Sequence, residues 1–541
     1  MSQLSEIYEN PKHDCYRDMQ AGGMPEALES CQCNPGDHDG QTAARTVLWL
    51  DPDFITSEFI LESNMPNTTT PLFILDDTAL AYNSLGREAR INIPLLKSLF
   101  DQSNMDRASI QIEFDLSDHL KIPLRTNNIE AIGDGNFIWH GSFVGIKEIQ
   151  GVFSVVDLLH PEKLSISGHI HIFNDDFAFD SSGAGRVFIR KINRTALTCK
   201  SPPTIDLHQD GVYYEDIHAS SDSRSIIDIL VIYPPQLLHG QDGKGTLSAN
   251  AVKAKVLTAK AVVDSAFRNS GINAEISIAD VLPCEALKKR SVSNLLDEAR
   301  LTGGKPGPVY RAISLMREQH HADIVAILAL EGGLGANFVT AGEAILIPEP
   351  PSLSHSDLHY ATFSVNYFSE IFHYAFAHEF GHLLGGKHDR ITQPLGGGEN
   401  HGFDYARGFV AEDYSFVTLM GYQKEHDGKA YEYIPAYSAS DRQWQGKKMG
   451  TPAHEQAPAD CAALFRWSTQ TVANYRRKPD ETPHGMIQLR ISVEPQLGGF
   501  VTPSLAGPYA PGTPVTLTAT PRTGHAFVRW LVEGEIVAPH R

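Results

Sequence analysis

The stretch His378-Glu379-Phe380-Gly381-His382-Leu383-Leu384-Gly385-Gly386-Lys387-His388-Asp389 constrains this chain more than any other. His378 and His382 are four residues apart, so on a helix they project from one face and can grip a single metal ion. Glu379, next to the first of them, falls beside the open side of that ion as a candidate base. Gly385 suits a helix end at which the chain turns through positive φ, and the turn can return His388 as a third ligand. Three neutral imidazoles with one position left vacant form a catalytic zinc arrangement; structural zinc sites are closed by four protein ligands, usually including Cys. Other divalent metals also accept imidazole, so zinc is inferred from ligand type.

The rest of the chain sets the frame for this motif. A chain of 541 residues is too long for one ordinary core and predicts roughly three or four domains. Apolar residues make up 42% and charged residues 20%, an ordinary globular balance, and no uninterrupted apolar run is long enough to cross a bilayer. The net charge of −20 argues against a nucleic-acid partner, because a phosphate backbone would be repelled. Six cysteines, Cys15, Cys31, Cys33, Cys199, Cys284 and Cys461, are too sparse for a disulfide scaffold. The opening residues Met1 to Ile7 show no basic segment followed by an apolar one, so no signal peptide is visible. Acidic residues are plentiful, yet no spaced loop supports a calcium site.

Taken in order, residues 1–44 read as a flexible leader, in which Cys31-Gln32-Cys33 lacks a second pair with which to hold a metal. Residues 45–195 read as a β-rich domain. Leu164 to Ile172 alternates apolar and polar residues as a half-buried strand does, which predicts that His169 and His171 face solvent. Residues 196–224 are a polar, turn-rich linker. From 225 to 478 strands and helices alternate: a buried strand at Ile226–Tyr233, a helix over 248–269, strands at Ala274–Ile278 and Ala322–Leu328 with a helix around Tyr310–Glu318 between them, a strand at Ala361–Val365, and the metal helix from near Ser369 to Leu384. The Gly-rich run Glu331–Ala336 is a candidate edge for pairing with an extended peptide. A short linker, 479–485, leads to a small all-β module over 486–541, with strands at Leu489–Val493, Val515–Ala519 and Phe527–Trp530. The fold class is therefore α+β or α/β and multidomain.

The extended zinc stretch resembles that of the metzincin endopeptidases. A second match is the turn Thr418-Leu419-Met420-Gly421-Tyr422, which is similar to the Met-containing turn that metzincins place beneath the zinc. The resemblance spans about 225 to 476 and is nearest to bacterial peptidyl-Asp metalloendopeptidase-like, or reprolysin-like, enzymes. It implies a mixed twisted sheet with a zinc helix. It further implies His378, His382 and His388 as ligands of one zinc ion, Glu379 as general base, Met420 as the structural turn residue, and Tyr422 as a phenol serving the metal or the developing oxyanion. Protein or peptide substrates are implied, as is a secreted or cell-surface location. The β-rich 45–195 region looks like the pro-domain of such zymogens, in which Cys199 or Asp134 would be the candidate inhibitory residue. The module over 486–541 is similar to the internalin B-repeat type, which implies contact with a cell surface or polymer. The competing expectation is a catalytically idle metzincin-like surface binding or adhesion protein.

Overall fold

In the β-rich region short apolar-polar alternations sit between glycine-bearing turns, the pattern of strands with one face turned inward. In the computed structural model these runs form ten strands: β1 (Thr69–Pro71), β2 (Phe73–Ile74), β3 (Arg87–Ile91), β4 (Gln111–Ser117), β5 (Leu120–Gly133), β6 (Asn136–Phe143), β7 (Ile146–Val156), β8 (Ser165–Ile172), β9 (Asp175–Gly183) and β10 (Arg186–Lys191). The structure describes residues 69–75, 86–101, 110–192, 224–239, 247–299, 301–330, 341–344, 358, 361–391 and 403–476, with short gaps inside some runs, and short stretches between 499 and 537. The leader, nearly all of the 196–224 linker and the 479–485 linker lie outside the described residues.

The ten strands make one sheet in the order β1-β4-β5-β6-β7-β8-β9-β10-β3-β2. Only Leu72 separates β1 from β2 in sequence, yet they occupy opposite ends of that order, so the sheet curls until its edges meet. Leu72 ties the seam: its N–H donates to the Glu113 carbonyl at 3.0 Å, and its own carbonyl accepts from Asn92 N at 2.9 Å. The enclosed space is filled by aromatic rings. Phe73, Phe114, Phe137, Trp139, Phe153 and Phe179 are buried there, with Trp139 stacked on Phe153 at 4.9 Å. Burial of each such ring contributes about 1.5–3 kcal/mol. Trp139 needs a partner for its indole N–H and finds the Thr126 hydroxyl at 2.9 Å. Helix α1 (Ile93–Phe100) is capped by Asn92, which accepts from Leu95 N, and buries Leu95, Leu96 and Leu99.

The second part begins at β11 (Ser225–Tyr233) and continues through α2 (Ala249–Asn269), β12 (Ala274–Pro283) and α3 (Val292–Ala299). A hairpin of β13 (Leu301–Thr302) and β14 (Lys305–Pro306) precedes α4 (Pro308–Gln319); β15 (Ile324–Ala329), β16 (Gly342–Ala344), β17 (Thr362–Asn366) and α5 (Phe372–Leu383) follow. The sheet order is β12-β11-β15-β17-β16. Every neighbouring pair in it is parallel except β16 with β17, which are antiparallel. The run of apolar residues from Ile229 to Tyr233 in β11 is explained by cover on both faces. Ile229 and Val231 pack into the core that holds α2, while Leu230 and Ile232 pack with Leu295 and Ile313 from α3 and α4. Helix α2 is started by Ser248, whose hydroxyl accepts from Ala251 N, and ends where Gly271 adopts φ +67°.

After α5 the chain forms β18 (Phe416–Val417), a hairpin of β19 (Glu425–His426) and β20 (Lys429–Ala430), β21 (Glu432–Tyr433) parallel to β18, the pair β22 (Ala439–Trp444) and β23 (Lys447–Met449), and α6 (Cys461–Val472). The C-terminal segment shows two antiparallel pairs, β24 (Gly499–Pro503) with β25 (Leu517–Pro521) and β26 (Trp530–Val532) with β27 (Glu535–Val537). The strand expected at 515–519 starts at Leu517, and the one expected at 527–530 starts only at Trp530; the one expected at 489–493 lies outside the described residues. Among the described residues no helix is long and apolar enough to cross a membrane.

One expectation is corrected. His169 and His171 do not face solvent: every residue of β8 is buried, and these two are 4% and 1% exposed. The polar face of β8 is turned away from the barrel interior but lies under α2 and the segment carrying Glu432. Thr258 of α2 donates to the Ser167 carbonyl at 2.9 Å, and His171 Nε2 meets Glu432 Oε1 at 3.0 Å. Barrel and second sheet thus share one core, in which Ile138, Val152 and Ala178 join the side chains around α2 and α5.

Candidate metal centre

Helix α5 is apolar on nearly all sides, and every residue from Phe372 to Leu383 is buried. Phe376 and Phe380 pack on Phe363 of β17, and Phe380 also meets Phe267 of α2. This packing leaves His378 and His382 on the side toward the Met420 turn. Gly381, between them, permits the close approach: an added Cβ would collide with Met420 Sδ and lie 3.1 Å from Tyr437 Cε1. Tyr437 also donates to the Ala377 carbonyl at 2.8 Å.

The helix stops where the sequence predicts. Gly385 has φ +93°, and Gly386 N donates to the Gly381 carbonyl at 2.9 Å. The chain is then clamped to the segment around Arg407 by Lys387 N to Ala406 O at 2.7 Å and Gly408 N to Lys387 O at 2.9 Å. These bonds turn His388 back toward the helix. Its Nε2 lies 3.1 Å from Nε2 of His378 and 3.1 Å from Nε2 of His382.

The tautomers follow from the partners of the other ring nitrogens. His378 Nδ1 is 2.6 Å from the Leu419 carbonyl and His382 Nδ1 is 2.7 Å from the Gly386 carbonyl. A carbonyl only accepts, so both Nδ1 atoms carry the proton and both Nε2 atoms offer lone pairs. Those lone pairs converge on His388 Nε2, where one proton could serve only one of them at a time. A divalent cation would satisfy all three, and the donor set fits zinc. Burial is the main influence lowering the His378 pKa to about 3, helped by His388; burial, then the nearby Arg407, does the same for His388. These two rings are therefore neutral at physiological pH, the form that binds metal.

Glu379 is buried, and its side chain lies against the backbone of edge strand β16. An added Cβ at Gly342 would lie 2.6 Å from Glu379 Oε1. The Tyr422 hydroxyl is 3.2 Å from His388 Nε2, and its ring centroid is 4.6 Å from that of His388. Asp389 joins the two halves of the site: Oδ2 accepts from Tyr422 N at 3.1 Å and Oδ1 accepts from Ile391 N at 2.9 Å. Arg407, fully buried, donates to the His388 carbonyl at 3.3 Å.

The structure thus brings together His378, Glu379, His382, His388, Met420 and Tyr422. Cys199, Asp134 and the run 331–336 lie outside the described residues. Among those described, Cys284 and Cys461 are buried and unbridged, and burial pushes the Cys461 thiol up to about 12. Sequence reasoning missed Asp389, Arg407 and Gly342. Asp389 had a signal in its place directly after the third histidine; Gly342 had none, since its contact with Glu379 is long-range. A cavity of about 380 Å³ lies elsewhere, between the outer barrel face and α2, lined by His140, Gln150, His171 and Arg268 among others. Its lining shares no residue with the histidine cluster.

No curated protein matches the chain. A solved structure described as "Structure of a chaperone-substrate complex" is similar at 15% identity and a TM-score of 0.33, covering 57% of this chain. This chain spans only 39% of that one. Residues 489–539 match the family described as "Divergent InlB B-repeat domain", which supports the small C-terminal module expected over 486–541.

Proposed function

We propose that the protein is a zinc-dependent endopeptidase of metzincin type that cleaves internal peptide bonds of protein substrates. The observation that carries the reading is the convergence of three buried imidazoles, two with their Nδ1 protons committed to backbone carbonyls. His378, His382 and His388 would hold the zinc ion. When bound, it supplies Lewis acidity and lowers the pKa of water to about 7. Glu379 takes a proton from the attacking water and returns it to the leaving amine. Tyr422 donates a hydrogen bond to the carbonyl oxygen as negative charge develops there. Among the described residues β16 is the last strand of its sheet, so an extended peptide paired along it would bring its carbonyl toward Glu379.

The ligand imidazoles are fully buried, which fits a protein made in latent form. Secretion or display at a cell surface accords with the C-terminal module. The test is digestion of casein by the full chain, before and after limited proteolysis, with and without a zinc chelator. Chelator-sensitive fragments support the reading, and their absence in both preparations overturns it.

A second reading rests on the match at 489–539. In it the chain is a catalytically idle surface binding or adhesion protein whose C-terminal module makes the contact. Binding to a cell surface or polymer without casein cleavage would favour it.

A further inference from the structure

We infer that the N-terminal barrel is a permanent part of the metal centre, with Asp176 acting as a positioning residue for the zinc helix and for the turn beneath it. The inference rests on the metal-centre reading above and deepens it. Asp176, on β9, is fully buried. Its Oδ1 accepts from the Tyr374 hydroxyl at 3.2 Å, and Tyr374 stands one helical turn before His378 on α5. The same oxygen accepts from His171 Nδ1 at 2.8 Å, and His171 Nε2 donates to Glu432 Oε1 at 3.0 Å. Next to Glu432, Tyr433 donates its hydroxyl to the Leu419 carbonyl at 2.6 Å. That carbonyl is the one that receives His378 Nδ1.

A closed ring of contacts results, running from the zinc helix into the barrel, back through β21 to the Met420 turn, and from there to the first ligand. Tyr374 and Tyr433 complete it, their rings 5.0 Å apart and edge to face. The remaining contacts are those of a permanent interface. Besides Thr258 to Ser167, Lys260 of α2 reaches Glu130 of β5 at 2.8 Å, and Asn250 donates to the Lys163 carbonyl at 3.0 Å. Taking the barrel away would expose the apolar side of α2 that now packs with Ile138, Val152 and Ala178, and would remove the Glu130 partner of the almost wholly buried Lys260. A cut in the linker therefore leaves the barrel in place.

The test has two arms. In the first, zinc affinity is measured on the full chain by competition with a chromophoric chelator, well below the melting temperature. Asp176→Ala should weaken zinc binding by up to about 10-fold, the low end of the effect of losing a direct partner of a metal-binding imidazole, because Asp176 acts through Tyr374 and Tyr433. Asp176→Asn, which keeps an acceptor but not the charge, should fall between parent and Ala. Tyr374→Phe, which keeps the ring packing, should weaken binding by a smaller factor. Lowered melting temperatures with unchanged zinc affinity in all three variants would overturn the positioning role. In the second arm a specific protease site is placed in the 196–224 linker and the chain is nicked. Co-elution of both fragments with zinc affinity retained supports the inference; a barrel that separates while the remainder keeps its zinc overturns it. A parent chain that binds no zinc would overturn the metal-centre reading itself, and this inference with it.

Discussion

His378 Nδ1 lies 2.6 Å from the carbonyl oxygen of Leu419, so the first candidate ligand is oriented by the residue that precedes Met420. The contact spans the bend at Gly385 and couples helix to turn. It also explains why the two sequence signals, the histidine spacing and the Thr-Leu-Met-Gly-Tyr turn, occur together: one supplies the ring and the other the acceptor that fixes its tautomer.

Replacing Glu379 by Gln removes the base while keeping nearly the same shape. Zinc content should stay at the parent value, because Glu379 is not among the converging ligands. Peptide hydrolysis should fall about 10²- to 10⁴-fold, the usual contribution of a positioned base. Metal analysis alongside casein turnover reads both quantities. Parent-rate cleavage would remove Glu379 from the mechanism.

Gly342→Ala places a methyl group where the Glu379 side chain now rests, with its Oε1 only 2.6 Å from the new carbon. Either β16 or Glu379 must shift, at a cost of about 1–3 kcal/mol for overpacking. Turnover should drop at unchanged zinc content, and the denaturation midpoint should fall. An unchanged rate would show that Glu379 has room this packing denies it.

His171 gives a pH signature. Burial lowers its pKa, but the Asp176 and Glu432 carboxylates on either side outweigh burial and raise it to about 9 from the usual 6.5. The folded state thus holds a proton that the unfolded chain releases above about 6.5. Its contribution is complete below that pH and is lost as pH rises through about 9. The melting-temperature gap between parent and His171→Gln should therefore be widest near pH 6 and shrink toward pH 9.5. A gap that stays constant across this range would mean that His171 is neutral in the folded protein.

Much of the site was legible because its chemistry is local. The three imidazoles fall within one short stretch, the helical repeat puts two on one face, and glycine at the turn is demanded by its positive φ. The strand expected at Ile226–Tyr233 was legible from its β-branched run, which reports burial directly, and it forms over Ser225–Tyr233. The barrel's attachment was not. Alternation in β8 records that one face is polar, and polarity was read as exposure. His171 instead finds carboxylates on both ring nitrogens, and Ser167 is buried under α2. Such polar burial depends on partners far away in sequence, such as Glu432, as does the contact between Gly342 and Glu379. Spacing carries no trace of either.

The central claim is that His378, His382 and His388 hold one zinc ion. The most direct measurement is the metal content of the purified full chain and of its His382→Ala variant, after equilibration with zinc and removal of the excess. The account predicts about one tightly bound zinc per parent chain and almost none in the variant. A parent without zinc, or a variant that keeps it, would contradict the account.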